Sequence, residues 1–300
     1  MNRIIETMKF RNELNESINE ALGIRNEVWD ETCIIEKEIL DDLSDRYSIK
    51  FADGVFVKIG KIETTFLNKP LTVDYQYVNF VNQKAYSTYV NRIKLKKNFY
   101  NETLNLLTLH FISISGHIDE TSLIDTIQHE LHHDFQETES GIDFSKIPLY
   151  QKAIRLKGYE DDTVQYNIGD ILYITFKHEI EAYANGLFAY LMKKYEEGYT
   201  DTTELVMGSD IYNMLQTLRK RKEMFLKYKN TPLSMQVMRW IGMTDNKFEE
   251  RIKWAEREII SRMGKAIVAA KDKTMASDEF DGTNSRYTKE SVDNLHIYLK

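Results

Sequence analysis

The stretch from residue 123 to residue 136 reads LIDTIQHELHHDFQ, and five consecutive positions in it hold three of the chain's seven histidines and a glutamate. An α-helix advances about 100° per residue, so His129 and His133, four apart, stack on one face. Two neutral imidazoles one turn apart can both reach a single ion, and zinc favours imidazole nitrogen in a tetrahedral shell. Glu130 adjoins the first of the pair and is placed to take a proton from water on that ion. This is the H-E-x-x-H arrangement. Its bland counterpart is a solvated polar helix face that carries histidines incidentally.

The helix that holds these side chains also needs a face to pack. Leu123, Ile127, Leu131 and Phe135 follow at four-residue steps and form an apolar stripe roughly opposite the two histidines. Glu130 falls between the faces. His132 points away from the pair and is expected to be solvated or locally bonded. A second helical pattern, FKHEIEAYANGLFAYLMKKY, covers residues 176 to 195, with Ile180, Tyr183, Leu187 and Leu191 as its packing stripe. A two-histidine catalytic site needs a third protein ligand and one position left to water. Glu179 and Glu181 are two apart and diverge by about 200° on a helix, so only one of them can face the ion. Glu181 shares its side with His178 and Asn185 and is the expected ligand. Asn185 is expected to hydrogen-bond an outer imidazole nitrogen.

H-E-x-x-H followed by a downstream helix carrying E-A-x-x-N resembles the gluzincin branch of the zincin metallopeptidases. The resemblance covers roughly residues 103 to 195. It implies His129 and His133 as zinc ligands, Glu130 as general base, Glu181 as third ligand and Asn185 as the residue supporting a zinc-bound histidine, where the family usually has Asp. It also implies that LTLHFISISG is an edge strand along which an extended peptide pairs. The gap between the motifs is longer than in compact members and implies an insertion after Ser140. The metzincin pattern needs Gly at 136 and His or Asp at 139, where this chain has Gln136 and Glu139. A ferritin-like di-iron site needs a second E-x-x-H, which the sequence lacks. An oxyanion-stabilising Tyr or His is common in gluzincins, and Tyr166, Tyr173 and His178 are the candidates.

Around the motifs, residues 1 to 46 read as an N-terminal helical segment, 47 to 200 as the zincin-like core and 201 to 300 as a helical C-terminal region. In SIKFADGVFVKIG the pair Asp53-Gly54 between alternating segments predicts a hairpin, since both turn positions need positive φ. LTVDYQYVNF, NRIKLKKNF and LNLLTLHFISISG predict further strands, with His110 a structural residue of the last. Strands first and helices second predict an α+β fold, a mixed sheet followed by the active-site helix. Phe248, Ile252, Ala255, Ile259 and Met263 predict a core-facing helix stripe. LRKRKEMFLKYK reads as a solvated basic face, and KDKTMASDEFDGTNSRYTKE as an exposed linker.

The net charge of −7 argues against a general nucleic-acid binder. A single cysteine, Cys33, excludes an intrachain disulfide and a cysteine-rich zinc cluster. Neither a signal-peptide core nor an apolar run of about 20 residues is present, so no membrane span and a reducing, cytoplasmic compartment are expected. The expected activity is Zn2+-dependent hydrolysis of peptide bonds in a peptide or protein substrate. The alternative is a non-catalytic interaction or structural protein that keeps the scaffold.

Overall fold

The computed structural model describes residues 26–44, 49–52, 54–89, 98–101, 104–114 and 119–281. Contacts divide the chain into two compact units, one from Ile24 to Phe135 and one built on the helices from Gln136 onward.

In the first unit, helix α1 (Asn26–Ser44) precedes a five-stranded sheet in the order β1-β2-β3-β5-β4. The strands are β1 (Ile49–Ala52), β2 (Val55–Phe66), β3 (Lys69–Phe80), β4 (Phe99–Asn101) and β5 (Leu106–Ile114). A short helix α2 (Gln83–Tyr89) follows β3, and α3 (Glu120–Ser140) follows β5. All neighbours are antiparallel except β3 and β5, which run parallel. Side chains alternate across a strand, and each strand therefore feeds two clusters. Ile62, Phe66, Leu71, Val73, Tyr75, Leu107 and Leu109 meet Val28, Ile35 and Ile39 of α1 and Leu123, Ile127, Leu131 and Phe135 of α3. The opposite parity, Val55, Val78, Phe80 and Ile112, packs with Ala85 of α2.

Two local features fix this sheet. Gly54 takes φ +83° in the β1–β2 hairpin, as the sequence requires, with Asp53 outside the described residues. The β2–β3 hairpin turns on Leu67 and Asn68 at φ +48° and +62°, without a glycine to mark it. The Leu67 amide donates to the Glu31 carboxylate of α1, which holds the turn. Further along, Gly60 faces Tyr75 in register, and a Cβ at Gly60 would clash with the hydroxyl end of the Tyr75 ring. That ring crosses the glycine and donates its hydroxyl to Asp42 at the end of α1.

The second unit is helical: α4 (Pro148–Lys157), α5 (Val164–Ile174), α6 (Lys177–Glu196), α7 (Thr202–Met207), α8 (Asp210–Tyr228), α9 (Pro232–Ile241) and α10 (Asp245–Asp281). Three of its starts are capped by side chains: Thr163, Asp201 and Thr231 accept amides of the first turns of α5, α7 and α9. Gly242 closes α9 in the left-handed region. Phe248, Ile252, Ala255, Ile259 and Met263 are fully buried along α10, as their spacing predicts. Much of the basic stretch on α8 is not a solvated face. Arg221 pairs with Asp170 of α5, and Lys222 and Lys229 pair with Glu256 and Glu249 of α10.

The α+β class, the mixed sheet and the helical remainder agree with the sequence reading. Several boundaries differ. α1 packs on the sheet inside the first unit, and α10 continues to Asp281 through half of the expected linker. NRIKLKKNF lies almost wholly outside the described residues. β5 is not a bare edge strand, since β3 flanks it on one side and β4 pairs with Leu106–Thr108 on the other. No helix among the described residues is long and apolar enough to cross a membrane. Replacing Gly60 with Ala is expected to displace the Tyr75 ring and its Asp42 bond, costing about 1–3 kcal/mol. A denaturant midpoint equal to wild type would show that the ring does not depend on the missing side chain.

Candidate metal centre

Helix α3 is two-faced, as its sequence demands. Leu123, Ile127, Leu131 and Phe135 are buried in the core, whereas His129 and His133 are half-buried. The two imidazoles meet edge to face, with ring centroids 4.9 Å apart and planes at 86°. Glu130 beside them is also half-buried. His132 is 2% exposed, so of the two expected states solvation is excluded, and its ring lies against Phe135 on the same helix.

One turn beyond His133, Gln136 ties the end of α3 to the start of α6. Its amide nitrogen donates to the His178 carbonyl at 3.3 Å and to the Glu181 carboxylate at 3.0 Å. The α5–α6 corner is clamped in turn. Arg251 donates to the hydroxyl and carbonyl of Thr175 at 2.6 and 3.0 Å and lies 4.8 Å over the Phe176 ring.

His129, His133 and Glu179 each offer a ligand atom, and these atoms all lie within 4.8 Å of one another. A tetrahedral ion with bonds of about 2.0–2.2 Å sets its ligand atoms roughly 3.3–3.6 Å apart, which this group can satisfy. The chemistry of the third member argues the same way. Glu179 is 1% exposed, and a buried carboxylate is costly unless it is paired or coordinates a cation. Its Oε1 accepts the Tyr150 hydroxyl at 2.9 Å, and the imidazole Nε2 of His178 stands 3.6 Å from the same oxygen. Burial first, then the charge of Glu179, pushes the Tyr173 hydroxyl well above its ordinary range. A cation held by the same three side chains would add to these contacts.

Glu181 stands elsewhere. Its carboxylate receives Arg262 at 2.5 Å and Gln136 at 3.0 Å, with Lys177 at 3.5 Å. Arg262 is buried and also holds Glu258 at 2.9 Å, so Glu181 sits in an ion cluster with α10. Asn185 donates its side-chain amide to the Glu181 carbonyl one turn back on the same helix. In the sequence, Glu181 is favoured by the side it shares with His178 and Asn185, off the packing stripe of Ile180, Tyr183, Leu187 and Leu191. α6 instead buries Ala182, Ala184, Asn185, Phe188 and Ala189 beside Ile180, Leu187 and Leu191, nearly all round, so the stripe does not single out a solvent face.

The remaining candidates are set by packing. His178 is stacked on Phe144 at 4.1 Å and lies among Tyr150 and Phe176, within an aromatic box. Tyr166 lies under Arg221, 4.9 Å from the guanidinium, beside the Asp170 ion pair. Tyr173 carries Lys157 over its ring at 3.7 Å. His110 is half-buried in β5, and burial lowers its pKa. Tyr150, which the sequence does not mark, also reaches Glu179, as Tyr173 does. An aromatic in a helix's first turn carries no signal of that contact.

Comparison with family models, curated proteins and solved structures finds no match to this chain. The geometry alone makes the test. Glu179→Gln is expected to weaken zinc or cobalt binding by more than the roughly 10–100-fold typical of losing an outer hydrogen-bond partner. Glu181→Gln should leave metal affinity close to wild type and instead lower stability by about 1.5–3 kcal/mol, as loss of a charge-assisted bond does. The opposite ranking in a metal titration would return the ligand role to Glu181.

Proposed function

We propose that this protein is a zinc-dependent peptide hydrolase of zincin type, with His129, His133 and Glu179 holding the ion and Glu130 as general base. The observation that carries the reading is the convergence of two one-turn-spaced imidazoles with a buried carboxylate. Glu130 on the same helix, outside that group, supports catalysis over a purely structural site, which has no need of a base. Two histidines and one carboxylate form a donor set of three, which leaves a tetrahedral ion one position.

Bound there, the ion supplies Lewis acidity, lowering the pKa of a water to about 7 and polarising the scissile carbonyl. The chain's own residues do the rest. Glu130 accepts a proton from the attacking water at its carboxylate, the water oxygen bonds to the carbonyl carbon, and the same proton passes to the amine as the C–N bond breaks. β5 supports an extended substrate. β4 pairs with Leu106–Thr108, and from Leu109 onward β3 is the only strand paired with β5 among the described residues, with the His110 amide donating to the Asn98 side chain at 2.6 Å. Main-chain hydrogen bonds along such an edge are sequence-tolerant. Glu179 is followed by Ile180 and, four positions on, by Tyr183. The E-A-x-x-N run therefore does not frame the proposed ligand, and the reading rests on the H-E-x-x-H helix rather than on the gluzincin branch.

Glu130→Gln is expected to keep the fold and metal content while reducing peptide turnover by roughly 10²–10⁴-fold. The comparison requires metal-verified protein, because a lost ion mimics a lost base. A wild type that binds zinc yet cleaves nothing in a broad peptide screen would favour a non-catalytic protein on the same scaffold.

A further inference from the structure

Tyr150 opens α4 two residues after Pro148, whose ring fixes φ at the helix start. Three aromatic neighbours then fix the Tyr150 ring. Tyr173 lies 5.8 Å away at 37°, Phe176 5.1 Å away at 75°, and His178 5.1 Å away at 53°. A phenol hydroxyl lies on the axis of its ring, so fixing the ring fixes where the oxygen sits. Here it sits 2.9 Å from Oε1 of Glu179.

We infer that Tyr150 is a positioning residue for the metal centre, holding one oxygen of Glu179 so that the carboxylate meets an ion through the other. The inference rests on His129, His133 and Glu179 being the ligands. Its physical content is denticity. A carboxylate that binds through both oxygens fills a further coordination position, the one a catalytic site leaves to water. A hydrogen bond on Oε1 competes with that second contact and fixes the carboxylate plane. Preorganised partners of this kind typically account for 10–100-fold in metal affinity. Tyr150 reaches no reacting atom in this scheme and acts only through Glu179.

Tyr150→Phe removes the hydroxyl and keeps the ring among its aromatic neighbours. Cobalt(II) is the probe, because its visible absorption reports coordination number as well as occupancy. The full chain, stripped with chelator, would be titrated as wild type, Tyr150→Phe, Glu179→Gln and the double variant, with thermal unfolding of each stripped protein as the control for folding. The variant should bind cobalt about 10–100-fold more weakly. Its bound spectrum should shift towards the weaker absorption of a higher coordination number. Introduced into Glu179→Gln, the same change should add no further loss, since the hydroxyl then has no carboxylate to orient. Wild-type affinity and spectrum in Tyr150→Phe, or losses that simply add in the double variant, would overturn the positioning role while leaving the metal centre standing. Failure of the wild type itself to bind cobalt or zinc would overturn the metal centre, and the inference with it.

Discussion

A carboxylate taken almost entirely out of water has to be answered by charge or by hydrogen bonds, and the arrangement around Glu179 follows from that requirement. Tyr150 is held by Tyr173, Phe176 and His178 so that its hydroxyl reaches Oε1, and His178 is boxed against Phe144 beside the same oxygen. These groups are neutral donors or aromatic faces in the main. His129 and His133 of α3 bring ligand atoms within 4.8 Å of one of Glu179. His129, His133 and Glu179 together form a group that could hold a metal ion.

Helix α3 meets a second constraint, because it must pack one face while presenting two imidazoles on another. Its four-residue apolar steps give the core Leu123, Ile127, Leu131 and Phe135, which leaves the opposite side to His129 and His133. Gln136 continues that service one turn later by bonding the His178 carbonyl and the Glu181 carboxylate. An amide is suited to the task, since it can donate to a backbone oxygen and a carboxylate from one nitrogen. The start of α6 is held from the other direction by Arg251 at the Thr175 corner.

Charge is distributed by the same economy in the helical unit. Glu181, which in sequence competes with Glu179 for the ion, is matched by Arg262 and through it by Glu258. Arg221, Lys222 and Lys229 of the basic stretch each find an acid on α5 or α10. A run of like charges in sequence becomes a set of staples once neighbouring helices present the opposite sign.

Patterns with a local cause were legible in the sequence. The period of α3, the alternation of the strands, the Asp53-Gly54 turn and the stripe of α10 each arise from the backbone geometry of one element, so residue spacing alone specified them. The pairing of His129 with His133 is of this kind, because one helical turn suffices to bring them together. The hairpin at Leu67-Asn68 was not legible, since its positive φ values are held by Glu31 from a helix far back in the chain. Neither was which of two glutamates joins the His129–His133 group. Glu179 and Glu181 are equivalent in type and differ only in direction, and direction is set by which faces of α6 are covered. That helix is buried nearly all round, so its own sequence holds no record of which side meets α3. The neighbours separate them: Arg262 pairs with Glu181, and Tyr150 donates its hydroxyl to Glu179.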